Sequence, residues 1–187
     1  MKTKKLVISS LFTALICISA VINIPLVFTP ISVTLQVFAI SVCASVLGKK
    51  YGCISVIIYE LIGFMGFPVF SGFRGGPQVL FGATGGYIIG FIPAAFIIGY
   101  LTEKLYNAND KSLLKYIKIT IPMLLGLLLV YLFGTIQFMI VGNVTFVYAL
   151  SMAVIPFVLF DLIKIALATA VTCFLKSHIN ILMLEIK

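Results

Sequence analysis

Apolar residues fill six long stretches of the chain, and short polar or glycine-rich segments separate them. Each stretch is near the length that an α-helix needs to cross about 30 Å of hydrocarbon. The stretches cover approximately residues 6–28, 31–47, 51–67, 79–101, 116–141 and 150–175. The second and third are the shortest, and Gly48-Lys49-Lys50 separates them. The pattern predicts an all-α, polytopic membrane protein with six transmembrane helices, which form a single domain over residues 1–187.

The basic residues alternate with these stretches and predict an orientation in the membrane. If the six helices alternate in direction, eleven of the thirteen Lys and Arg residues fall on one face. These eleven are Lys2, Lys4, Lys5, Lys49, Lys50, Lys104, Lys111, Lys115, Lys118, Lys176 and Lys187. Because cytoplasmic loops are enriched in Lys and Arg, both termini are predicted to be cytoplasmic. Arg74 lies in a loop on the opposite face, and Lys164 lies inside a predicted helix.

Composition supports this interpretation and excludes other classes of protein. Hydrophobic residues make up 62% of the chain and charged residues 10%, with a mean hydropathy of +1.25; a soluble domain is about a quarter charged. The net charge of +8 comes from spaced loop lysines without an aromatic-rich basic patch, so no nucleic-acid partner is expected. The four cysteines lack CxxC spacing, and the single histidine, His178, cannot build a metal site. No metal or cofactor is predicted.

The N-terminal twenty residues combine a basic start with an apolar core, as a signal peptide does. The apolar run continues to Phe28, however, and no soluble domain follows it. We therefore interpret this segment as the first transmembrane helix.

Three ionisable residues lie inside predicted helices: Glu60, Asp161 and Lys164. Such residues usually face the interior of a helix bundle and mark a binding or transport site. Asp161 and Lys164 are three residues apart and share one helix face. They either form a self-contained ion pair that fixes helix packing or face a polar ligand between the helices. Glu60 either pairs with Lys164 or lies near a membrane interface.

A glycine-rich segment, 66-GFPVFSGFRGGPQVLFGATGGYIIGF-91, follows the third stretch. Glycines allow the backbone to approach a ligand closely, and Gly86-x-x-x-Gly90 is also a helix-packing motif. We expect Gly90 to pack against a helix, and the others to approach a ligand: Gly72, Gly75, Gly76, Gly85 and Gly86. The phosphate-binding pattern GxxxxGK[ST] is absent, so the chain does not hydrolyse ATP by that route.

Three strings of the sequence together resemble the BioY family, the biotin-binding S components of energy-coupling factor (ECF) transporters. They are 30-PISVTLQ-36, 65-MGFPVFSGFRGGPQVLFGATGGYIIGF-91 and 161-DLIKIALA-168, in order and at similar spacing. The resemblance implies a six-helix S-component fold in the cell membrane and capture of biotin from outside the cell. It also implies docking onto a transmembrane coupling protein and two cytoplasmic ATPases.

The resemblance also implies roles for individual residues. Biotin carries a ureido group, an apolar ring and chain, and a carboxylate. Asp161 would accept the ureido N–H groups and Arg74 would neutralise the carboxylate, while Lys164 would either join Arg74 at the carboxylate or hold Asp161. Gln36 and Gln78 would donate amide N–H groups to the ureido carbonyl. Phe70, Phe73 and Tyr87 would form aromatic walls for the ring. The small residues Ser10 and Ala14 on the first helix would contact the coupling protein, although the family usually has alanine where Ser10 stands.

Two other classes of function compete with this one. A stand-alone secondary transporter or channel would use Asp161, Glu60 and Lys164 as an ion or proton relay. The small size and the absence of inverted repeats count against it. An intramembrane enzyme would need a catalytic constellation, and the sequence contains no HExxH, GxSxG or Cys–His arrangement. We expect that the protein is not an enzyme.

Overall fold

The computed structural model describes residues 2–29 and 31–184, with side chains for residues 4–29 and 31–177. Pro30, Lys187 and the side chains of Lys2 and His178 lie outside this part of the chain. The elements are α1 (Lys2–Val21), β1 (Asn23–Pro25), β2 (Ser32–Thr34), α2 (Gln36–Phe64), α3 (Pro77–Leu80), α4 (Gly85–Leu105), α5 (Ser112–Gly142), α6 (Phe146–Ala153) and α7 (Ile155–Leu184). Most of the described chain is thus helical, as predicted.

Five of the described helices are long and apolar enough to cross a membrane, namely α1, α2, α4, α5 and α7. Several predicted boundaries were wrong: α2 begins at Gln36 instead of residue 31, α4 begins at Gly85 instead of residue 79, and the first and last stretches also differ. The first helix ends at Val21 instead of Phe28, because β1 pairs with β2 in an antiparallel hairpin, with Asn23 opposite Thr34. The last apolar stretch is divided between α6 and α7. Pro156 lies in the first turn of α7, where a backbone N–H would make no hydrogen bond within the helix, so proline is tolerated there.

The chain reverses direction within α2, at Gly48. Gly48 has φ +77° and ψ 178°, a combination that only glycine adopts readily. The Gln36 side-chain amide donates a hydrogen bond of 2.7 Å to the Tyr59 hydroxyl, although the two residues are 23 positions apart. In a straight helix that separation would be roughly 34 Å. Residues 36–47 and 49–64 therefore form two helical limbs that lie side by side, with Gly52 against Ala44.

Close approach between helices depends on small residues on α4. A Cβ atom at Gly90 would lie 3.2 Å from the Cα of Val130 on α5, which confirms the packing role predicted for this glycine. A Cβ atom at Gly99 would lie 2.4 Å from the backbone N of Lys49. Helix α4 thus packs directly on the backbone of α5 and on the turn in α2.

The two ends of the bundle differ in character. One end carries the β-hairpin and the segment 65–84, and we call it the hairpin end. The other carries the turn at Gly48, the end of α4, the start of α5 and the last third of α7, and we call it the lysine end. At the hairpin end, Phe70 is buried edge-on against Tyr59, with ring centroids 5.6 Å apart. Phe70 exchanges backbone hydrogen bonds with Arg74 (2.9 and 3.3 Å), which fixes the loop that carries Arg74.

Candidate binding site

A cavity opens at the hairpin end, among β2, the start of α2, α4, α5 and α7. Its walls are mainly apolar and aromatic, and consist of Ile31, Val37, Val79, Tyr87, Ile88, Phe91, Val130, Tyr131 and Phe157. Its polar lining comprises Ser32, Thr34, Gln36, Ser71, Arg74, Thr84, Asp161 and Lys164. An apolar cavity with a few convergent polar groups is the usual organisation of a site for a small molecule.

Asp161 on α7 is the acidic group of this cavity, and both of its carboxylate oxygens accept hydrogen bonds. Lys164 Nζ donates to Oδ1 at 2.7 Å, and the Tyr131 hydroxyl donates to Oδ2 at 2.6 Å. Only 5% of Asp161 and 7% of Lys164 are exposed. Asp161 and Lys164 thus share a helix face, as predicted, and form an ion pair that also lines the cavity. A carboxylate has about four lone-pair sites, so Asp161 retains capacity to accept hydrogen bonds from a ligand.

Lys164 retains hydrogen-bonding capacity as well. An ammonium group carries three N–H donors, and within the described residues Lys164 uses one of them, toward Asp161. With Arg74 also in the lining, the cavity carries two cations and one anion. The arrangement favours a ligand that is polar at one point and anionic at another.

Gln36 lies in the first turn of α2 and is held at both ends of its amide. Its Nε2 donates to Tyr59, and its Oε1 accepts from the Thr34 hydroxyl at 3.0 Å. Because the two limbs of α2 are antiparallel, Tyr59 on the second limb can fix Gln36 on the first. One N–H of the Gln36 amide remains for a ligand.

Arg74 lies on the glycine-rich segment and is exposed at the mouth of the cavity. Its Nε donates to the Ser71 carbonyl at 3.1 Å, which orients the guanidinium. Gly72 and Gly76 have φ of +74° and +93°, so the turns on either side of Arg74 require glycine. The other guanidinium donors are suited to bidentate binding of a carboxylate.

Tyr87 on α4 forms an aromatic wall. Its hydroxyl donates to the Ala153 carbonyl at 2.6 Å, and its ring fits against Gly134, where a Cβ atom would lie 2.4 Å from the ring. Phe91, Tyr131 and Phe157 complete the aromatic lining. The other two aromatic candidates lie elsewhere: Phe70 is buried below the loop, and Phe73 is 69% exposed.

Three further predicted site residues lie outside the cavity lining. Gln78 is exposed and donates from Nε2 to the Gly75 carbonyl at 2.7 Å; it lines a neighbouring shallow pocket that shares Arg74 with the cavity. Gly85 and Gly86 are buried against other backbone instead. A Cβ atom added at Gly85 would lie 1.8 Å from the Leu80 carbonyl oxygen. One added at Gly86 would lie 2.3 Å from the Phe133 carbonyl oxygen. In this structure the small size of these two glycines allows α4 to pack closely against the neighbouring backbone.

Glu60 also lies outside the cavity lining. It is 8% exposed, and its Oε1 has no hydrogen-bond partner among the described residues. The pairing of Glu60 with Lys164 that we considered is not formed among the described residues; Lys164 pairs with Asp161. A relay through Glu60, Asp161 and Lys164 has no connected path in the described side chains.

Ser10 and Ala14 are both exposed on α1. The opposite face of α1 packs on α2: the Thr13 hydroxyl donates to the Ser55 carbonyl, and the Ser55 hydroxyl donates to the Ser9 carbonyl, both at 3.1 Å. The outward face of α1 therefore remains available to lipid or to another protein.

Tyr131 was missed by the sequence reasoning, as were Thr34, Phe91 and Phe157. Tyr131 is half-buried in the middle of the apolar helix α5, and a hydroxyl at that depth needs an internal partner. This need for a partner could have pointed to Tyr131 from the sequence, since Asp161 was already a candidate site residue. The phenylalanines carried no such signal, because the chain has 16 of them.

Comparisons with known proteins agree with this geometry. The model of the BioY family matches residues 1–180. The biotin transporter BioY of Thermotoga maritima is 44% identical over 93% of this chain and 96% of its own length. The probable biotin transporter BioY of Pyrococcus horikoshii is 36% identical over 91% and 95%, respectively.

A solved structure has the same fold. The crystal structure of the S-component for biotin from an ECF-type ABC transporter superposes with a TM-score of 0.87 at 30% identity, covering 94% of this chain and 92% of that one. Together with the five long apolar helices, these relatives make the protein a multi-pass protein of the plasma membrane. The match along nearly the whole chain, in sequence and in fold, shows that the protein belongs to the BioY family.

Proposed function

We propose that this protein is the membrane-embedded, substrate-binding (S) component of an ECF transporter and that it captures biotin from outside the cell. The observation that carries the proposal is the buried Asp161–Lys164 pair, which lines an apolar and aromatic cavity together with Tyr131. Relatives named as biotin transporters support the choice of substrate. The resemblance of the sequence to the BioY family led to the same substrate.

The depth of the charged groups favours one orientation of biotin in the cavity. Asp161 is buried, whereas Arg74 is exposed at the mouth. The ureido group enters first and donates its N–H groups to Asp161, while Gln36 donates to the ureido carbonyl. The carboxylate then lies near the mouth, where Arg74 binds it. Lys164 holds Asp161 in place and adds positive charge to the cavity, and the aromatic walls contact the bicyclic ring.

The antiparallel limbs of α2 support six membrane crossings within a single transmembrane domain over residues 1–187. Counted in this way, the crossings are α1, the two limbs of α2, α4, α5 and α7. An even number of crossings puts both termini on one side, and the excess of lysines at the lysine end favours the cytoplasmic side. The cavity then opens to the outside of the cell.

The energy for uptake comes from partner proteins in this proposal. The chain lacks the phosphate-binding loop of an ATPase, and its relatives are named as transporters and not as enzymes. A transmembrane coupling protein and two cytoplasmic ATPases complete the transporter. The exposed Ser10 and Ala14 on α1 provide a small-residue surface on which a helix of the coupling protein packs closely.

Equilibrium binding of biotin to the purified chain, without any partner, tests the proposal. A substrate-binding component binds biotin with the chain alone, in a ratio of one to one. A chain that binds no biotin in detergent or in lipid nanodiscs, although it is folded, would contradict the proposed function. Uptake by vesicles that contain this chain alone, driven by a proton gradient, would favour a secondary transporter instead.

A further inference from the structure

A second cavity, of ≈ 590 Å³, lies at the lysine end of the bundle, opposite the candidate biotin site. It is lined by Val46, Lys104, Leu105, Tyr106, Asn107, Ala108, Lys118 and Lys176. Its three lysines come from the end of α4, the second turn of α5 and the last third of α7. The fold therefore brings three cations together from distant parts of the sequence, and none of them takes part in the candidate biotin site.

Two of these lysines form no ion pair among the described residues. Lys118 forms a 2.7 Å ion pair with Asp110, whereas Lys104 and Lys176 form no ion pair with a described carboxylate. The nearest acid in sequence, Glu103, lies against Gly48 and pairs at 3.9 Å with Lys49 instead. Lys176 Nζ lies 4.6 Å from the centre of the Tyr106 ring. The lining carries three lysines and no carboxylate; Asp110 pairs with Lys118 and Glu103 acts on Lys176 from beyond ion-pair distance, so the positive charge is only partly compensated.

The position of the cavity indicates which anion compensates that charge. Leu105 is the last residue of the apolar helix α4, and the polar connection that follows it contributes Tyr106, Asn107 and Ala108 to the lining. The cavity is therefore at the level where an apolar helix bundle meets water, and Val46 and Leu105 add apolar surface to its walls. Basic pockets between membrane helices at this level bind the headgroups of anionic lipids.

We infer that the cavity at the lysine end binds the phosphate group of an anionic phospholipid, with Lys104 and Lys176 as its two cationic contacts. The acyl chains of the lipid continue along the apolar surface beside Val46 and Leu105. Free phosphate offers the same charge without acyl chains, so the test must separate the two sources. The inference does not depend on the identity of the transported substrate.

Native mass spectrometry of the full chain in detergent tests this inference with two lipids that share their acyl chains, dioleoyl-phosphatidylglycerol and dioleoyl-phosphatidylcholine. The wild-type chain is expected to retain the anionic lipid roughly tenfold more than the zwitterionic one. The double variant Lys104→Gln/Lys176→Gln should lose this preference. The matched control Lys111→Gln, an exposed lysine of the same connection outside the cavity lining, should keep it.

A charge-preserving variant and a phosphate titration complete the design. Lys104→Arg/Lys176→Arg should keep the preference for the anionic lipid, and size-exclusion profiles establish that all variants are folded. Equal retention of the two lipids by the wild type, or an unchanged preference in the double Gln variant, would overturn the inference. If inorganic phosphate raises the unfolding temperature as much as the anionic lipid does, the site binds free phosphate and the assignment to a lipid is wrong.

Discussion

The Tyr131 hydroxyl donates a 2.6 Å hydrogen bond to Asp161 Oδ2 and thereby joins α5 to α7 in the wall of the cavity. Lys164 holds the other oxygen of the same carboxylate from its own helix. The acceptor proposed for the ureido group is thus fixed from two directions before any ligand arrives. Preorganisation of this kind reduces the loss of side-chain entropy on binding.

Replacing Tyr131 by Phe removes this bond and keeps the aromatic ring. Hydrogen bonds to charged groups contribute about 1.5–3 kcal/mol, so we expect biotin affinity to fall roughly tenfold or more while the fold persists. Isothermal titration calorimetry measures the change. Tyr148→Phe, at an exposed tyrosine outside the cavity, is the matched control and should leave affinity unchanged. Equal affinities for the two variants would show that the Tyr131 hydroxyl does not support the site.

Gly134 provides the space that the Tyr87 ring occupies. A Cβ atom at Gly134 would lie 2.4 Å from that ring, so Gly134→Ala should displace Tyr87 from its place in the cavity wall. Overpacking of this kind typically costs about 1–3 kcal/mol of stability, and we expect biotin affinity to fall as well. Both quantities are measured, by thermal unfolding and by calorimetry.

The control for this prediction is Gly126→Ala, which also overpacks α5. A Cβ atom at Gly126 would meet the side chain of Ile98 at 2.5 Å, away from the cavity lining. This variant should lose stability without losing affinity. If both variants reduce affinity to the same extent, the effect of Gly134→Ala comes from general destabilisation and not from Tyr87.

Gly48 determines the reversal between the limbs of α2. Its backbone conformation costs a non-glycine residue about 1–3 kcal/mol, and a Cβ atom there would also collide with the Glu103 side chain. Gly48→Ala should therefore lower the unfolding temperature of the purified chain. Gly66→Ala, where φ is also positive at +100° but no atom lies within 4 Å of the Cβ position, measures strain alone and should lower it less. A Gly48→Ala variant as stable as the wild type would contradict the strained turn.

Much of the fold could be predicted because membrane helices leave a strong signal in hydropathy and in the placement of lysines. The break at Gly48-Lys49-Lys50 was also visible, since glycine and two charges interrupt an apolar run. The strands β1 and β2 could not be predicted, because each has three residues and their pairing depends on contacts across a loop. Pro25 disfavours a continuous helix over the first apolar stretch, but a break does not specify what replaces the helix.

The residues of the candidate site likewise divide into those that the sequence predicts and those that it does not. Asp161, Lys164 and Arg74 stood out because each is a charge where a membrane protein has no general need of one. Gly85 and Gly86 were assigned to ligand approach, yet here they pack against other backbone, because the same residue type serves both purposes. The orientation of the Gln36 amide depends on the reversal in α2, which brings Tyr59 next to it.

Biotin binding by the Asp161→Asn variant tests the central claim most directly. Asparagine preserves the shape of the side chain but removes the charge that Lys164 and Tyr131 hold. The matched control is Asp110→Asn, which makes the same substitution in the ion pair with Lys118, at the lysine end of the bundle and outside the cavity lining. We expect at least about a tenfold loss of affinity for Asp161→Asn and no change for Asp110→Asn. A folded Asp161→Asn variant that binds biotin as tightly as the wild type would contradict the proposed site.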